Sequence, residues 1–127
     1  MIVVDASAAV TGLLGDGDAR RHLAADDLAA PHLADAEIAQ ALRAHVRRGV
    51  LQPADAGRAL DRWIRFGVRR YAGVGLLPRV WELRDNLSAY DATYVALAEA
   101  LGCPLLTGDA RLAAATGPNC PTVVVRS

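Results

Sequence analysis

Five short apolar runs alternate with helical patterns along this chain, and that alternation restricts the fold more than any other feature. The runs lie at residues 2–5, 27–31, 69–75, 103–107 and 121–125, the third being the weakest. They have strand length and are bounded by Gly, Pro or Asp. Between them lie "ASAAVTGLLG", "DARRHLAA", "HLADAEIAQALRAHVRRG", "PADAGRALDRWIRFG", "PRVWELRDN", "SAYDATYVALAEALG" and "DARLAAA". The third of these is strongly amphipathic: Ile38, Ala41, Leu42, His45 and Val46 form one stripe, and Arg47, Arg48 and Gly49 close its end. In the fourth, Leu60, Trp63 and Ile64 share a side. Strands joined by helices pair in parallel and need covering on both faces. The expectation is an α/β fold in a single domain over residues 1–127, without repeats or linkers.

With 53% apolar and 22% charged residues, the chain has a globular composition. The formal net charge is zero, which excludes a global basic signature for nucleic acid, but the charge is unevenly placed. Residues 43–84 carry ten Arg against three acids, a net +7, whereas residues 1–42 carry −5 and residues 85–127 carry −2. All the basic residues are Arg. Such a distribution hints at an anionic partner, although an arginine face in contact with water is the commoner explanation. Cys103 and Cys120 form neither a disulfide framework nor a metal knuckle, as in a reduced cytoplasmic protein. The apolar start stops at Asp5, and Glu99 interrupts the longest apolar stretch, so neither a signal peptide nor a membrane span is expected.

Four carboxylates stand at unusual places. Asp5 ends the first strand and Asp109 follows the fourth; in open α/β sheets, ligands bind beyond the carboxyl ends of strands. Each also precedes a helix, where Asp is a favoured cap. Asp91 shares a helix side with Tyr94, Val95 and Ala98, so its carboxylate points toward the sheet. Glu37 flanks the stripe of the long helix among Leu33, Ala34 and Ala41, a position from which it could also reach water. If the four converge, their mutual repulsion calls for a counter-charge, and only Arg111 lies near any of them in sequence. A hard divalent cation, Mg²⁺ or Mn²⁺, supplies it; no Cys or His cluster suits zinc. His22, His32 and His45 are scattered and read as structural.

"MIVVDASAAV", Glu37 within "PHLADAEIAQALR", and "LSAYDATYVALAEALGCPLLTGDARL" together resemble the PIN-domain nucleases, in particular the VapC toxins of bacterial toxin–antitoxin pairs. The resemblance spans nearly the whole chain. It implies a three-layer α/β/α domain with a five-stranded parallel sheet and a Mg²⁺- or Mn²⁺-dependent endoribonuclease. It also implies that Asp5, Glu37, Asp91 and Asp109 are the catalytic, metal-binding quartet, supported by Ser7 and Thr107. Some relatives carry another acid shortly after Asp109; here Arg111 and Leu112 follow. An RNA substrate, a cognate antitoxin and a homodimer are the implied partners. Residues 33–66 are the expected antitoxin groove, and Arg43, Arg47 and Arg48 are candidates for holding RNA phosphates.

Other readings fit less of the pattern. Phosphatases of the haloacid-dehalogenase type need Asp at position 7, where this chain has Ser, and a Lys, which it lacks. A receiver domain fails for the same missing Lys. An inactive PIN domain that only binds would gain nothing from clustered acids. An RNA-processing nuclease without a toxin role differs from the toxin reading only in its genetic neighbourhood.

Overall fold

A computed structural model describes residues 1–126. Its strands are β1 (Ile2–Val4), β2 (Leu28–Pro31), β3 (Arg69–Tyr71), β4 (Leu105–Thr107) and β5 (Thr122–Val124). Its helices are α1 (Ala6–Leu14), α2 (Asp18–Ala25), α3 (Leu33–Arg47), α4 (Pro53–Arg65), α5 (Leu77–Glu82), α6 (Ala89–Leu101) and α7 (Ala110–Ala114). The strands form one parallel sheet in the order β3-β2-β1-β4-β5. Right-handed crossovers then put α1 to α4 on one face and α5 to α7 on the other. The contacts agree: α1 packs on α2, α3 and α4, while α6 lies against β1, β2 and β4. The expected three-layer α/β/α architecture is the one found.

β1 is central because it can be buried completely. Val3 and Val4 are inaccessible to solvent and pair with Leu105 and Leu106, also inaccessible. On its other side, Ile2 and Val3 align with Leu28 and Ala29. The outer strands are wetter: Arg69 and Arg70 on β3 are exposed, as is Val124 on β5.

Local signals set most helix ends. Ser88 caps α6 by accepting the Asp91 amide at 3.1 Å, and Gly102 ends it at φ 65°, a left-handed conformation that glycine adopts without strain. Pro53 opens α4, and Asp5 caps α1. In α4 the buried side is Ala59 and Trp63, with Leu60 half-buried; Ile64 turns out to solvent. Trp63 sets this rotation, because its indole N–H donates to Asp35 Oδ1 at 2.7 Å while Arg70 holds the same carboxylate with two hydrogen bonds of 2.8 and 3.0 Å. On α3, Ile38 and Leu42 are buried, and His45 is half-buried and bonded through Nδ1 to the Ala41 carbonyl, a structural role.

The strand order positions the site. From β1 the chain moves outward through β2 to β3, then returns to lay β4 against the free side of β1. The reversal lies between β1 and β4, and a crevice opens beyond their carboxyl ends.

Candidate active site

Asp5 leaves the end of β1 at that reversal and is only 5% exposed. Its Oδ1 accepts the Ser7 hydroxyl at 2.7 Å and the Ala8 amide at 2.9 Å. Its Oδ2 accepts the hydroxyl of Thr107, which is wholly buried at the end of β4. Capping and convergence on the crevice therefore coexist: one oxygen caps α1 while the other faces β4. A carboxylate oxygen has two acceptor positions, so Oδ2 keeps one for a ligand.

Thr107 and Ser7 bind the two strand ends together. Thr107 Oγ1 accepts the Asp109 amide at 3.0 Å, and Ser7 Oγ accepts the Gly108 amide at 2.9 Å. A Cβ at position 108 would lie 3.2 Å from Ser7 Oγ, so only glycine fits here without pushing Ser7 away. Asp109 caps α7 through the Arg111 amide at 2.9 Å.

The three aspartates share one electrostatic field. Burial lifts the Asp91 carboxyl above its ordinary value, and the charges of Asp5 and Asp109 lift it further. Burial also raises Asp5, outweighing its bonds to Ser7, Thr107 and the Ala8 amide, with Asp109 adding to the rise. Asp109 goes the other way, held down chiefly by the Arg111 amide and then by its guanidinium. Asp91 is half-buried and lines a cleft of about 270 Å³ with Asn86, Ser88, Asp109 and Arg111. Ser88, whose Oγ accepts the Asp91 amide, also acts on the Asp91 carboxyl, pulling it down against the effect of burial.

Glu37 does not turn away to water. It is half-buried, and its Oε1 accepts the Tyr94 hydroxyl at 2.5 Å, a length typical of a charge-assisted bond. Tyr94 is 2% exposed and one helical turn beyond Asp91 on α6. Burial and then Glu37 and Asp5 hold its phenol far above the ordinary value, so it stays a donor. Periodicity puts Tyr94 on the apolar side of α6 with Val95 and Ala98; the sequence signal for its further role is a polar aromatic on the same face as Asp91.

Arg43, Arg47 and Arg48 are not brought to this crevice. All three are exposed and form no ion pair among the described residues. Arg47 is ten residues beyond Glu37 on α3, about 15 Å along the helix axis.

Among the described residues, no three His, Cys, Asp or Glu side chains already form a complete ligand set. The donor chemistry nonetheless fits a hard cation: carboxylate and hydroxyl oxygens, with neither Asp5 nor Asp91 in an ion pair among the described residues and only the more distant charge of Arg111 acting on Asp91. Magnesium usually takes only one or two carboxylates and keeps several waters, so a partial set suffices.

A parallel sheet in this order with acids at its reversal point defines the class. Residues 2–118 match the family profile of the PIN domain, and the chain belongs to that family. In particular it is a VapC-type member: ribonuclease VapC9 of Mycobacterium tuberculosis is 57% identical to it over 125 residues, covering 98% of each chain. The crystal structure of PAE2754 from Pyrobaculum aerophilum is 29% identical, with a TM-score of 0.72 over 96% of this chain and 83% of that one. VapBC2 from Rickettsia felis, bound to a DNA fragment from their promoter, shares the fold at a TM-score of 0.70 and 14% identity, over 98% of each chain.

Proposed function

We propose that this protein is the endoribonuclease toxin of a toxin–antitoxin pair, that it hydrolyses RNA phosphodiesters with Mg²⁺ or Mn²⁺, and that Asp5, Glu37, Asp91 and Asp109 carry the reaction. The observation that carries this reading is the buried Asp5. It is fastened to both strand ends, left with one acceptor position, and set in a common field with Asp91 and Asp109. The 57% identity to a ribonuclease supports RNA as the substrate.

Asp5 and Asp91 would hold the cation, with Asp109 completing the set. When bound, it supplies charge neutralisation and Lewis-acid polarisation of water and the phosphoryl oxygens. The residues do the rest. Ser7 and Thr107 keep Asp5 Oδ2 aimed at the crevice. Glu37 Oε1 is held by Tyr94, and Oε2 takes the proton of the attacking water. In-line attack leaves a 5′-phosphate and a 3′-hydroxyl. Arg111, on the rim beside Asp109, is placed to meet a substrate phosphate.

The other partners follow from the outer face. A groove of about 330 Å³ between α3 and α4 is lined by Leu42, Val46, Ala56 and Leu60 and edged by Arg43 and Arg47. An apolar seam with basic edges suits an amphipathic, acidic segment, and we assign it to the antitoxin. The promoter-bound VapBC2 structure supports a paired protein of this kind. The same arginines would hold RNA phosphates at a distance from the cut. Among the described residues no helix is long and apolar enough to cross a membrane. We expect it to be cytoplasmic and to act as a homodimer.

The test is to map RNA cleavage ends after expressing the chain alone, beside Asp5→Asn. Defined new 5′-phosphate ends should appear with the wild type and vanish with the variant or with excess EDTA. Full cleavage by Asp5→Asn, or in EDTA, overturns the mechanism.

A further inference from the structure

We infer that Tyr94 is the positioning residue of Glu37, a single hydroxyl that holds the fourth acid at the crevice from the opposite helical layer. The inference rests on the acidic-cluster reading above and adds a residue to it. Glu37 is on α3 and Tyr94 on α6, 57 residues apart, and the two helices cover opposite faces of the sheet. Their side chains meet close enough to Asp5, at the end of β1, for its charge to act on the Tyr94 phenol. Among the described residues Tyr94 is the sole side-chain hydrogen-bond partner of Glu37. Without it, the carboxylate would rotate among the small residues Ala34 and Ala41 with nothing to fix χ angles that cost entropy to order.

The geometry is rigid because the ring, not the hydroxyl, is anchored. Tyr94 is 2% exposed and lies with Val95 and Ala98 among the buried residues of α6, so its Oη has little freedom. One turn earlier the same helix presents Asp91. A single rigid element therefore sets the spacing between the Asp91 carboxylate and the Glu37 carboxylate. The 2.5 Å bond occupies Oε1 and leaves Oε2 without a hydrogen-bond partner among the described residues. A phenylalanine would fill the same core volume, so packing alone does not require the hydroxyl.

Tyr94→Phe keeps the ring and removes the donor. In steady-state cleavage of a defined RNA, kcat should fall about tenfold to a hundredfold with KM within twofold, because a charged-group bond is lost without a substrate contact. In the Glu37→Gln background the same change should have no further effect, since the two residues act as one unit. A readout free of RNA and metal is the Tyr94 hydroxyl proton in the wild-type NMR spectrum. It should exchange slowly and disappear into solvent exchange in Glu37→Ala. Wild-type kcat in Tyr94→Phe with an inactive Glu37→Gln overturns the positioning role and leaves the acidic cluster standing. A fully active Glu37→Gln overturns the role of Glu37 itself. Equal losses from Tyr94→Phe in both backgrounds, or a hydroxyl proton unchanged in Glu37→Ala, also overturn the positioning.

Discussion

Thr107 Oγ1, at the end of β4, donates its proton to Oδ2 of Asp5, at the end of β1, and accepts the amide of Asp109 on its other side. One buried hydroxyl thus connects residues 102 positions apart and fixes the first acid relative to the last. It works because β4 pairs directly with β1, which places the two strand ends side by side. The site is consequently as rigid as the centre of the sheet, a condition for ligand geometry held to a fraction of an ångström.

Replacing Thr107 by Val keeps the shape and deletes both bonds, leaving a buried acceptor and the Asp109 amide without partners. Urea unfolding should show a loss of about 1–3 kcal/mol. Cleavage by the folded variant should fall at least tenfold, and Thr107→Ser should recover most of both. A Val variant with wild-type stability and rate removes Thr107 from the site.

Asp91 should work against the stability of the metal-free protein. Its carboxyl is raised by burial and by Asp5 and Asp109, so between its unfolded and folded pKa the native state binds the extra proton. Stability therefore falls as pH rises through that window, and the loss is complete above the folded value. Asp91→Asn should melt higher than wild type at neutral pH without metal, converge with it in acid, and lose cleavage. A lower Tm for Asp91→Asn at neutral pH contradicts the shared field.

Mn²⁺ should restore what that repulsion removes. Binding to the native state alone, at a hundred times its Kd, adds about 2.7 kcal/mol. Calorimetric melting should register this for the wild type and not for Asp5→Asn, whose amide retains an acceptor for the Ala8 N–H. An equal Mn²⁺ shift in both proteins would place the ion elsewhere.

Glu99 has the opposite pH signature. Burial raises its carboxyl, but the bidentate Arg79 bonds of 2.7 and 3.2 Å and the Asn119 amide outweigh this and hold it below its ordinary value. Its stabilisation is present above the unfolded pKa and is lost as pH falls through the folded one. Glu99→Gln should steepen thermal unfolding losses near neutral pH while leaving the acid-limb stability close to wild type. Because Arg79 also bonds the Gly117 carbonyl, amides of the 116–120 loop should lose hydrogen-exchange protection first.

Changing Arg43, Arg47 and Arg48 together to Ala should reduce the slope of log K against log salt for RNA binding by about 2, the value for three single-strand phosphate contacts. An unchanged slope assigns these arginines to the protein-binding groove alone.

Much of this was legible in residue order. Strand-length apolar runs between amphipathic helices already imply a parallel sheet covered on both faces. The motifs around Asp5, Asp91 and Asp109 announce acids at the sheet's carboxyl edge. Those features are local: a cap such as Ser88, a glycine such as Gly102, or a carboxylate on an apolar helix side depends on neighbours within a turn. Ile64 marks where locality ends, since periodicity gave it to the core while Trp63, bonded to Asp35, rotated α4 so that it faces water.

The sequence by itself determined the class of fold and the kinds of atom available to a site. Tertiary structure alone decided that β4 returns to β1, that Asp5 caps a helix and faces the crevice at once, and that Glu37 finds a phenol from the far layer. The physical reason is range. Helix periodicity and capping act over a few residues, whereas strand order and buried hydrogen bonds between residues 57 or 102 apart exist only once the sheet has closed around its core.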